Sequence, residues 1–115
     1  MPVRKARRKL VNSDKRYLGS SKNQLIVIAK IHPSPNRRVS AIEQLSAKHG
    51  KEANELFIRS LSDPNLLVRK AAVKALKKHG TKQAVPYLDK IIAQGKGAIV
   101  SEARKARIRA VRKTR

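Results

Sequence analysis

The sequence predicts an all-α fold: a short α-solenoid of about three helical hairpins behind an extended basic N-terminal arm. Two features point there. The middle of the chain repeats itself with a period near 31 residues, and within each repeat the apolar residues follow helical rather than strand spacing. Positive charge gathered at both ends sets the arm and a C-terminal helix apart from the body. At 115 residues there is room for one domain. It divides into the non-helical arm (1–19), the repeat body (20–95) and a basic C-terminal helix and tail (96–115).

The repeat is read from paired positions. Pro33, Arg38, Ala41, Ile42 and Leu45 recur 31 residues later as Pro64, Arg69, Ala72, Val73 and Leu76. Gly50, Phe57, Ile58 and Leu61 recur after 30 residues as Gly80, Tyr87, Leu88 and Ile91. A period of this length means stacked pairs of helices. Helices are expected at about 21–31, 36–48, 52–61, 65–79, 83–93 and 98–113. For 21–31, which would turn Leu25, Ile28 and Ile31 inward, β-branched content leaves a strand as the alternative. In 65–79, Asp63-Pro64 is expected to open the helix, with Asp63 as cap. Val68, Ala71, Ala72, Ala75 and Leu76 share one face, and Lys70, Lys74, Lys77 and Lys78 share the other. Gly80 is expected to stop this helix in the left-handed conformation. Val85, Leu88, Ile91 and Ile92 turn inward in the next, and Val100, Ala103 and Ile108 stand one period beyond Val68, Ala71 and Leu76.

The stretch DPNLLVRKAAVKALKKHGTKQAVPYLDKII resembles a HEAT-type repeat. An Asp in the loop precedes a Val-Arg pair, an Ala-rich helix, a Gly turn and an Ala-Val-Pro-x-Leu helix. Asp63, Val68, Arg69, Ala71, Ala72, Ala75, Leu76, Gly80, Ala84, Val85, Pro86 and Leu88 carry that likeness. The copy at 33–61 matches more weakly, since His32 stands where Asp63 does. The resemblance implies a scaffold and an inward Arg69 ion-paired with Asp63. It does not imply an activity.

Composition excludes several functions. With no Cys there is neither a disulfide nor a Cys-ligated zinc. His32, His49 and His79 are too dispersed for a metal signature, so no metal or cofactor is expected. The longest apolar run, Leu25 to Ala29, is far short of a membrane span, and the N-terminus lacks a signal peptide's apolar stretch. A soluble, cytoplasmic protein is expected, with matrix targeting as the alternative. No carboxylate pair or phosphate-cradling loop suits catalysis, and Gly95-Lys96-Gly97-Ala98 is too short for a P-loop. His49 and His79 read as helix-end residues. Glycosylases built from HEAT-type repeats use Trp, which is missing here. No enzymatic activity and no small-molecule substrate are expected.

Charge carries the functional reading. There are 29 Lys and Arg against 7 acidic residues, a net charge of +22. Fifteen of the 29 lie in 1–19 and 96–115. Such a surface calls for a polyanion. The arm supplies Arg4, Lys5, Arg7, Arg8, Lys9, Lys15 and Arg16, with nuclear targeting or solubility as the bland alternative. Arg37 and Arg38 oppose the dipole at a helix start, a misfit that a bound anion would relieve. Lys70 and Lys74 point to solvent and equally fit a merely solvated face. The last helix has a narrow apolar stripe of Ile99, Ala103, Ala106 and Ala110. Around it stand Arg104, Lys105, Arg109, Arg112, Lys113 and Arg115, with Arg107 at the margin. Phosphates would offset their mutual repulsion.

The aromatics are Tyr17, Phe57 and Tyr87, and the last two are core by position, so base stacking has little platform. A mostly Ala helix also lacks the apolar face a membrane surface needs. Contact through phosphates and shape remains, which suits structured RNA. A small body with basic tails at both ends resembles ribosomal proteins, and Cys- and Trp-free composition resembles heat-adapted archaeal ones. The resemblance implies rRNA and neighbouring ribosomal proteins as partners, on the ribosome. The alternatives are a small DNA-binding chromatin protein and a HEAT-type protein–protein adaptor.

Overall fold

Ser21 opens the first helix with a capping box: its hydroxyl accepts from the Gln24 amide at 3.2 Å, and the Gln24 side chain accepts from the Ser21 amide at 2.9 Å. The computed structural model describes residues 21–113. Its helices are α1 (Lys22–Ile31), α2 (Pro35–Lys48), α3 (Asn54–Ser60), α4 (Leu66–His79), α5 (Val85–Gln94) and α6 (Ala98–Lys113). A single 3-10 turn, Lys82–Ala84, precedes α5. Among the described residues there is no strand, and the strand alternative for α1 falls with the capping box.

The helices form two layers. In one, α4 packs between α2 and α6; in the other, α1 packs against α3. Across the layers the close pairs are α1 with α2, α3 with α4 and α5 with α6. The core between them holds Leu25, Ile42, Leu45, Phe57, Val68, Val73, Leu76 and Leu88, all fully buried. Ile99, Ala103, Ala106 and Ala110 are buried too, the narrow stripe expected of the last helix. Small side chains there let α6 lie close to α4 and α5.

Several expectations are corrected. Asn65, not Asp63, caps α4, its side chain accepting from the Leu67 amide at 2.8 Å. Asp63 instead accepts from the Asn65 amide at 2.9 Å, one step before the helix. Gly80 is extended (φ −66°, ψ 154°), not left-handed; a Cβ there would strike the Leu76 carbonyl. The left-handed glycine is Gly97, φ 74°, where the chain turns into α6. Ile31 (71 % exposed) and Tyr87 (45 %) are not core: Ile31 falls off the buried Leu25–Ala29 stripe, and Leu88, 31 residues after Phe57, takes the inward position in place of Tyr87. Ile108 is also exposed: the α6 register is Ile99, Ala103 and Ala106 beyond Val68, Ala72 and Ala75, which sets Ile108 beyond the outward Lys77.

Two polar groups that sequence reasoning missed lock the repeats. Buried Asn54 donates from Nδ2 to the His79 carbonyl at 2.6 Å, tying α3 to the end of α4. The His79 ring stacks on Phe57 with centroids 6.5 Å apart, and its Nε2 lies 2.8 Å from the Ser46 carbonyl. Gly50 makes room for that ring, since any Cβ at Gly50 would collide with it.

Candidate nucleic-acid interface

The layer of α2, α4 and α6 presents the densest positive charge among the described residues. An apolar stripe on α4 leaves Lys70, Lys74 and Lys78 exposed, with Lys77 half-buried beside them. On α6 the residues flanking the buried stripe divide between its two sides. Lys105 and Arg109 lie toward α4, Arg104 and Arg107 toward α5, and Arg112 points outward. A shallow groove of about 420 Å³ between α2 and α4 is lined by Lys74, Lys77, Lys78, Arg109 and Glu43. Between α4 and α6 a hollow of about 240 Å³ carries Lys70, Lys74 and Glu102. A third, of about 300 Å³, lies beside Lys77, Lys105, Ile108 and Arg109. Six cations therefore share these hollows with two carboxylates. The other layer differs: its cleft of about 600 Å³ sets Lys30 and Arg59 against Glu52 and Glu55.

Glu102 is the face's internal counter-charge. It accepts from Lys77 at 2.7 Å and from Lys105 at 3.3 Å. The hydrogen bond from Lys77 first, and that from Lys105 second, hold its carboxyl below the usual carboxylate range. Arg109 donates to the Lys77 carbonyl at 3.4 Å across the α4–α6 seam.

Not every expected site residue joins this face. Arg38 is a structural residue: Nε and Nη2 bind the two Asp63 carboxylate oxygens at 3.0 and 3.1 Å. The expected anion at that helix start is thus Asp63 itself. Arg69 does point inward, yet it bonds the backbone carbonyls of Asp63 (2.7 Å) and Pro64 (3.0 Å) rather than the carboxylate, which Arg38 occupies. Arg107 pairs with Asp89 of α5 at 2.6 Å, on the opposite flank of α6 from Lys105. Arg37 is half-buried, and its amide donates to Ser34, the cap of α2, at 3.4 Å. Arg104 and Arg112 are exposed. Lys77 and Lys78 belong with the face; their place opposite Leu76 on the helical wheel is the signal for them. Arg4, Lys5, Arg7, Arg8, Lys9, Lys15, Arg16, Arg115 and the Lys113 side chain lie outside the described residues.

Among the described residues no group of three or more His, Asp or Glu could hold a metal ion. No helix among them is long and apolar enough to cross a membrane.

Two layers of antiparallel helices repeating every 31 residues or so define an α-solenoid scaffold. The family model for HEAT repeats matches residues 23–111, and the chain belongs to that family. No curated protein and no solved structure matches the chain.

Proposed function

We propose that this HEAT-repeat protein is a non-catalytic scaffold that binds the phosphate backbone of folded RNA, as a component of a ribonucleoprotein particle such as the ribosome. The observation that carries the reading is the charge on the α2–α4–α6 face: Lys70, Lys74, Lys77, Lys78, Lys105 and Arg109 against Glu43 and Glu102. Cations spread over a shallow surface suit phosphates presented by a rigid helix, while a deep, narrow pocket would suit a small ligand. The basic ends, 1–19 and 96–115, hold 15 of the 29 cationic side chains, Lys105 and Arg109 among them. Few aromatics are available, so backbone and shape outweigh base identity.

Duplex DNA offers similar phosphates, and the adaptor reading draws on the protein interactions that HEAT repeats generally mediate. Sedimentation of the full chain with ribosomal particles in moderate salt, with and without ribonuclease, separates the three. Ribonuclease-sensitive co-migration supports RNA. Preference for plasmid DNA supports the chromatin reading, and neither association leaves the adaptor.

A further inference from the structure

Arg38 and Arg69 occupy matching settings in successive repeats. In each, Nη1 donates to the carbonyls six and five residues earlier. For Arg38 these are His32 (2.6 Å) and Pro33 (3.4 Å); for Arg69, Asp63 (2.7 Å) and Pro64 (3.0 Å). For Arg38 the remaining edge, Nε and Nη2, grips Asp63, 25 residues further along. The residue at the same separation from Arg69 is Gln94, and its loop, Gln94-Gly95-Lys96-Gly97, contains no acid. Among the described residues, Nε and Nη2 of Arg69 have no partner, so the second rung of the Arg–carboxylate ladder is missing its carboxylate.

An open cleft of about 490 Å³ stands between Arg69 and that loop. Gln94 and Lys96 line it, together with Leu61, Leu66, Ile91 and Ile99, and Asp63 borders it with its carboxylate already held by Arg38. We propose that the cleft is a carboxylate-binding site, taking an Asp or Glu side chain of a protein partner with an apolar residue beside it. The planar edge of a guanidinium matches two carboxylate oxygens, and the Arg38–Asp63 pair demonstrates that match in this chain. Lys96 adds a second cation. Leu66, 45 % exposed, and half-buried Ile91 in the wall favour a peptide over a phosphate backbone, which would leave them unmatched. The site is separate from the α2–α4–α6 face and does not depend on RNA binding there.

The test is an NMR titration of the full chain, following the Arg69 Nε–Hε signal and the Gly95 and Lys96 amides. The probes are acetyl-Leu-Asp-Leu-amide, its Asn counterpart and inorganic phosphate. The acidic peptide should shift these signals saturably, and the Asn peptide should not. Gln94→Glu, which offers the fork an internal carboxylate, should weaken the acidic peptide by at least about tenfold. Four outcomes overturn the proposal: no shift with the acidic peptide, equal shifts with the Asn peptide, tighter saturation by phosphate, or undiminished peptide binding by Gln94→Glu.

Discussion

Arg38 of α2 and Asp63 of the loop before α4 form a two-point ion pair across the repeat boundary, at 3.0 and 3.1 Å, with both side chains 11 % exposed. The same guanidinium also holds the His32 carbonyl at 2.6 Å, so one side chain closes its own helix entry and docks the next repeat. Removing either partner strands a largely shielded charge. Arg38→Ala and Asp63→Asn should each cost about 2–3 kcal/mol, read as a lower urea midpoint with unchanged slope. The salt dependence of RNA binding should not change in either folded variant.

Arg69 contributes through its two carbonyl bonds. Arg69→Ala should lower stability by about 1–2 kcal/mol and leave RNA affinity intact. Equilibrium unfolding alongside a binding assay checks this; lost affinity at full stability would move Arg69 to the interface.

Gly50 and His79 make a second inter-repeat lock, because the ring lies against the Gly50 backbone and reaches the Ser46 carbonyl. Gly50→Ala forces a methyl into the ring and should cost about 1–3 kcal/mol. In a double-mutant cycle, Gly50→Ala with His79→Ala should destabilise less than the sum of the two, since the collision partner is gone.

These locks mark where sequence reading stopped. The 31-residue period placed the helices and most of the core, because burial of Val68, Ala72 and Leu76 follows from spacing alone. It placed Lys70 and Lys74 outward by the same logic. It did not pair Arg38 with Asp63, since a salt bridge across 25 residues depends on how two repeats dock and leaves no periodic trace. Tyr87 shows the same limit: the spacing of 30 sets it opposite Phe57, but the second helices repeat at 31, so buried Ala53 and Phe57 correspond to buried Ala84 and Leu88 and Tyr87 falls beside the stripe.

Glu102 restrains the basic face by engaging Lys77 and Lys105. Glu102→Gln should free both and strengthen RNA binding by roughly two- to fivefold at low salt, a modest gain because the pairs are exposed. The sign with pH follows from its lowered pKa. The pairs persist above the ordinary glutamate value and are lost only as pH falls through the lowered one. Wild type and variant should therefore stay distinct from pH 7 down past the ordinary glutamate value and converge only as pH falls through the lowered one. Binding isotherms across that range check it.

The central claim is that phosphates meet the α2–α4–α6 face. Its most direct test is the salt dependence of binding to a folded RNA hairpin, compared among three proteins. These are wild type, a variant with Lys70, Lys74, Lys105 and Arg109 changed to Gln, and one with Lys30 and Arg59 of the other layer changed to Gln. Circular dichroism controls for folding. The four-site variant should lose about 3 units of log–log slope, near 0.7–0.9 per phosphate contact, and the two-site variant should keep the wild-type slope. An unchanged slope in the folded four-site variant would contradict the account, as would an equal loss in the two-site variant.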